Sequence, residues 1–142
     1  MSQAALQVGP ALQAGMEAVR VRLVSDQDVR TFAALSGDDN PVHLDDDYAG
    51  RSIFKGRVAH GMLAGALISA LLGTELPGPG AVYLSQTLDF KRPIRPGDEV
   101  TVKVTVKAVE PPRAVLSTQV LVRGKLAVDG EAVVALPLAK AV

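Results

Sequence analysis

The sequence predicts an α+β fold in which helices gathered in the first half are followed by strands of an antiparallel sheet, five strands in all. Three observations carry this reading. The break Pro77-Gly78-Pro79-Gly80 separates a mainly helical first half from a second half of strand and turn. The run Val100-Thr101-Val102-Lys103-Val104-Thr105-Val106-Lys107 puts its valines on one face and its Thr and Lys residues on the other, as in a sheet covered on one side only. Gly61 to Gly73, GMLAGALISALLG, is apolar on every side except at Ser69 and makes a helix about 20 Å long. A helix apolar all round must be buried all round. One face packs on the sheet, and the rest needs loops or a second subunit, so an oligomer is expected.

Taken in order, residues 1–18 lack periodicity and carry Gly9, Pro10 and Gly15, which reads as an irregular lead-in to a single domain over 19–142. Residues 19–24 alternate apolar with basic and read as the first strand. Ser25 is an N-cap with Asp28 three residues on, and the helix it opens runs to about Ser36, where Gly37 ends it by taking the left-handed conformation. Asp38-Asp39-Asn40-Pro41-Val42-His43 follows as a stiff turn, since proline fixes its own φ and biases Asn40 away from helix. The acidic run from Leu44 to Ala49 suits one short helical turn or, more often for such a run, a solvated cap, and residues 50–60 form a long loop partly folded on the core. Beyond the apolar helix come strands at Val82–Lys91, Val100–Lys107, Ala114–Arg123 and within 126–137, the last interrupted by Asp129-Gly130.

Composition removes several functional classes. The 15 basic and 15 acidic residues cancel, leaving no basic field for nucleic acid. No cysteine is present, which excludes disulfides and thiolate-held metals. The longest apolar run, 11 residues from Met62 to Leu72, falls well short of the roughly 20 that span a bilayer. The first ten residues have neither a basic n-region nor an apolar h-region, so a cytoplasmic location is expected. Calcium-loop readings starting at Asp38 or Asp45 fail at the glycine or glutamate positions, and the two histidines match no zinc spacing, so no metal is expected.

Only His43 and His60 are histidines. Asp38 and His43 are five apart, which does not align them on a helix, but the Asn40-Pro41 turn brings them together. They then form either a pair that holds a water and moves its proton, or an ordinary turn in which Asp38 caps amides and His43 packs. The Gly61 N–H, at the positive end of the apolar helix, is either an oxyanion donor or simply the helix's first turn. Ser69 either bonds back to the carbonyl four residues earlier or lines a pocket.

The succession Phe32-Ala33-Ala34-Leu35-Ser36-Gly37-Asp38-Asp39-Asn40-Pro41-Val42-His43-Leu44-Asp45, then Val58-Ala59-His60-Gly61-Met62, Tyr83-Leu84, Phe90-Lys91-Arg92-Pro93 and Gly97-Asp98-Glu99-Val100, resembles the (R)-specific enoyl-CoA hydratases of the MaoC-like group over nearly all of residues 20–137. The resemblance implies a hotdog fold, a central helix wrapped by an antiparallel sheet, usually as a homodimer. It implies an acyl-CoA thioester as substrate, with no cofactor, and Asp38 and His43 as the catalytic pair with Gly61 supplying the oxyanion amide. It further implies that Asn40 belongs to the substrate site and that Ser69, Leu72 and Val133 line a short acyl pocket. A dehydratase acting on acyl carrier protein, a hotdog thioesterase and a non-catalytic acyl-binding module are the alternatives. Polyester synthesis and fatty-acid oxidation are both compatible pathways.

Overall fold

The capping pattern at Ser25 and Asp28 is realised as a full capping box, with each side chain bonded to the other's backbone N–H. It opens helix α1, Asp26–Ser36, in a computed structural model that describes residues 11–136. Gly37 closes α1 at φ 80°, its N–H donating to the Ala33 carbonyl. Before α1 runs strand β1, Glu17–Leu23; after it come the short helices α2, Pro41–Leu44, and α3, Asp46–Gly50, and the apolar helix α4, Gly61–Thr74. The remaining strands are β2 (Val82–Gln86), β3 (Asp89–Phe90), β4 (Glu99–Glu110), β5 (Arg113–Val122) and β6 (Lys125–Ala135).

The sheet is antiparallel in the order β1-β4-β5-β6-β2, with β3 also paired to β6. It wraps α4, which packs against β1, β4 and β5 in the hotdog arrangement. Alternation in β4 dictates the core: Val100, Val102, Val104 and Val106 are all buried, and Leu116, Val120 and Val122 of β5 face the same way. Burying each such side chain contributes roughly 1.5–3 kcal/mol before entropy is counted. From α4 the inward residues are Ala64, Ile68, Leu71 and Leu72.

Four expectations change. The sheet has six strands, because Val82–Lys91 breaks at Thr87-Leu88 into β2 and β3. The break is a tertiary lock: Thr87 N–H donates to the Glu131 carbonyl at 2.9 Å, and Glu131 N–H to Thr87 Oγ1 at 3.0 Å. The Thr87 carbonyl also occupies the space beside Gly130, where a Cβ would come within 1.9 Å of its oxygen. Gly130 therefore interrupts no strand; β6 runs straight through Asp129-Gly130, and glycine serves a close backbone approach. Of the expected lead-in, residues 1–10 lie outside the described residues. Residues 11–18 are fixed, since Gly15 N–H donates to the Val106 carbonyl at 2.8 Å and Leu12 and Met16 pack on the core. The stiff turn after α1 continues into α2, with Asn40 as N-cap and Pro41 at the first position, where a missing N–H costs nothing.

Helix α4 meets the expectation that its own sheet covers only part of it. Within one chain it is not covered all round: Met62 is 59% exposed and Ala66 is also open. Phe90 lies beside Gly61 at the start of α4 and is exposed, and edge strand β2 exposes Val82, Tyr83 and Leu84. Among the described residues no helix is long and apolar enough to cross a membrane.

Candidate active site

Asp38 and His43 are brought together by the α1–α2 corner, and local hydrogen bonds leave little freedom at either. Ser36 Oγ accepts from Asp38 N–H at 3.1 Å, Asp38 Oδ1 accepts from Asn40 N–H at 3.2 Å, and Asn40 Oδ1 accepts from Val42 N–H at 3.1 Å. Asn40 is thus a cap that shapes the corner. The His43 carbonyl accepts from Arg57 Nε at 2.7 Å, and Arg57 continues to Asp26 at 2.5 Å. Hydrogen bonds from Arg30 and then Arg57 hold the Asp26 carboxyl below its usual range, so this strut stays ionised.

The His43 ring is buried and its tautomer is set by its partner. Nδ1 lies 2.8 Å from the Val58 carbonyl, which can only accept, so Nδ1 carries the proton and Nε2 presents a bare lone pair. Nε2 and Asp38 Oδ2 are 3.9 Å apart. That is too long for a direct hydrogen bond and suits one water donating to both.

Gly61 is the first residue of α4, so its N–H has no acceptor within the helix and sits at the positive end of the dipole. It lines the same cavity of about 690 Å³ as Asp38 and His43, with Phe54, Ile94 and Val128 among its apolar walls. Lys91 and Arg92 line it too. The cavity walls do not include Asn40, Ser69, Leu72 or Val133. Leu72 belongs to the hydrophobic core, Ser69 is half-buried on α4, and Val133 stands between the inward-facing Ala132 and Val134, hence on the opposite face of β6.

His60 joins the site in a way its place in the sequence did not reveal. Its Nε2 lies 2.9 Å from the Asp38 backbone carbonyl, its ring stacks on His43 at 3.7 Å between centroids, and Phe32 covers it at 5.0 Å. The donor atoms of Asp38, His43 and His60 lie within 4.8 Å of one another.

A hotdog sheet whose central helix begins beside an imidazole and a carboxylate, over one apolar cavity, defines an acid–base site for a substrate with an oxygen to polarise. The chain belongs to the MaoC-like domain family, whose model matches residues 7–127. It is 46% identical over 128 residues to the (R)-specific enoyl-CoA hydratase of Rhodospirillum rubrum, covering 89% of each chain. It is 47% identical over 128 residues to the 3-hydroxybutyryl-CoA dehydratase of Methylorubrum extorquens, covering 89% of this chain and 82% of the relative. Its fold superposes on the (R)-hydratase of Aeromonas caviae involved in PHA biosynthesis with a TM-score of 0.87 at 45% identity, over 91% of this chain and all of the other.

Proposed function

We propose that the protein is an (R)-specific enoyl-CoA hydratase, adding water to a trans-2-enoyl-CoA to give the (R)-3-hydroxyacyl-CoA. One observation carries this: two acceptors, His43 Nε2 and Asp38 Oδ2, face each other across a 3.9 Å gap on the same cavity as the helix-end N–H of Gly61. The water donates one O–H to each. His43 Nε2 takes a proton as the water oxygen bonds to Cβ, the π electrons move toward the thioester, and the oxygen that becomes negative meets Gly61 N–H. The His43 imidazolium then returns the proton to Cα, and ionised Asp38 steadies it meanwhile. Every proton and electron is accounted for without a redox or metal cofactor.

The acyl chain in this reading runs along the apolar wall formed by Phe54, Ile94 and Val128. We place the enzyme in the cytoplasm as a homodimer, the open side of α4 and the exposed apolar residues of β2 and β3 being the surface a second copy covers. Purified Asp38→Asn and His43→Gln variants, shown to be folded by circular dichroism, are expected to hydrate crotonyl-CoA at least about a hundredfold more slowly. Wild-type rates in both variants, or an (S) product from the unaltered enzyme, would sink the proposal.

A further inference from the structure

We infer that His60 is a positioning residue that works on both halves of the catalytic pair at once, in a single neutral tautomer; this rests on the hydratase reading above. Three observations support it, two of them contacts. Nε2 faces the Asp38 carbonyl at 2.9 Å, and since a carbonyl only accepts, Nε2 carries the proton. Nδ1 is buried with no hydrogen-bond partner, so a second proton there would be an unpaired charge in a dry place. The ring face lies 3.7 Å from that of His43.

The two contacts act on different members of the catalytic pair. Holding the Asp38 carbonyl fixes the backbone from which the carboxylate reaches toward Nε2 of His43. The side chain of Asp38 is half-exposed, and its only other described anchors are local bonds within the corner. The stacked neutral ring offers a π face to His43 when it becomes an imidazolium, the interaction a cation makes with an aromatic plane. A base in this place would need a lone pair open to the water. His60 has its only bare nitrogen buried, so it positions and does not transfer protons. Its own place is determined by Phe32 on α1 and by its standing as the residue before α4, which links the helix that supplies the amide to the corner that supplies the pair.

The test separates the two contacts and has a readout independent of turnover. In 15N-labelled wild-type protein at mildly alkaline pH, the imidazole spectra are expected to show His43 protonated on Nδ1 and His60 protonated on Nε2. Any other assignment for His60 overturns the inference, whether or not the variants fold. His60→Phe keeps an aromatic face and loses the donor; His60→Gln keeps an N–H and loses the face. With crotonyl-CoA, His60→Phe is expected to lose about a hundredfold in kcat with KM within about threefold, and His60→Gln to recover roughly tenfold of that loss. A wild-type kcat in the Phe variant, a loss residing in KM alone, or a Gln variant no better than the Phe variant overturns it. If the unaltered protein hydrates no enoyl-CoA, the hydratase reading is what fails, and the tautomer measurement still decides the geometry.

Discussion

Phe90 occupies the space that a side chain at Gly61 would need: a Cβ built there comes within 2.8 Å of the Phe90 ring. Gly61 and the ring packed beside it are therefore matched in size. Phe90 is 54% exposed, so its ring can swing, and Gly61→Ala is expected to fold with little loss of stability. The displaced ring and the new methyl would crowd the oxygen site although the N–H itself remains, so kcat is expected to fall, by at most about the hundredfold that losing such a donor costs. Shortening Phe90 should relieve the clash, so the double variant Gly61→Ala/Phe90→Leu is expected to regain part of the activity. Full activity in Gly61→Ala alone would show that the amide does not face the reacting oxygen.

Gly130 makes a different prediction, because its neighbour is backbone. The Thr87 carbonyl that a Cβ would meet at 1.9 Å belongs to a residue held on β6 by its N–H and its Oγ1, both bonded to Glu131, so it cannot rotate away freely. Gly130→Ala should force β2 and β3 off β6 and destabilise the fold by about 3 kcal/mol, at the upper end of overpacking costs. Urea unfolding measures this directly, and a change below about 0.5 kcal/mol would mean the strands yield more easily than the packing implies.

These two glycines also mark how far the sequence can be read. Gly37 was legible because its task is local: it ends a helix that Ser25 and Asp28 begin, and all three signals lie within one stretch. The valines of β4 were legible for the same reason, their spacing alone separating the two faces of a strand. Gly130 was misread as a break because its neighbour, Thr87, is far away in sequence. The polarity of β1 was equally hidden. Arg20 turns toward the end of α4 to reach Glu75 and Thr74, which leaves Val19 and Val21 exposed. In the site, Asp38, His43 and Gly61 stood out through residue type and local context. The roles of His60 and Arg57 depend on contacts across the corner that no spacing rule encodes.

Lys91 and Arg92 line the same cavity as Asp38 and His43. Their backbone N–H groups both donate to the Ala127 carbonyl, at 2.7 and 3.2 Å, and neither side chain forms an ion pair among the described residues. Nearby Arg57 and Arg95 are occupied, by Asp26 and the His43 carbonyl in one case and the Phe54 carbonyl in the other. Two free cations on the cavity wall suit the phosphates of a CoA thioester. The Lys91→Ala/Arg92→Ala variant is expected to raise KM for crotonyl-CoA by about tenfold, as two partly screened pairs would. Turnover of a short crotonyl thioester without phosphates should stay unchanged. Equal losses on both substrates would assign these residues to the fold instead.

The Asp28 carboxyl lies below its ordinary value because it accepts from Ser25 N–H, with burial opposing and Arg22 assisting. A folded-state value below the unfolded 3.8 means that Asp28 stabilises the protein above that pH. The contribution is lost as pH falls through the lower folded-state value. Asp28→Ala, which removes half of the capping box, is expected to cost about 1 kcal/mol near neutrality. Urea unfolding of both proteins at pH 6 and pH 3 should show the gap narrowing at the lower pH, since the unaltered protein then begins to lose the same bond that the variant already lacks. A gap that stays constant or widens on acidification would mean that the cap acts through packing and not through the ionised carboxylate.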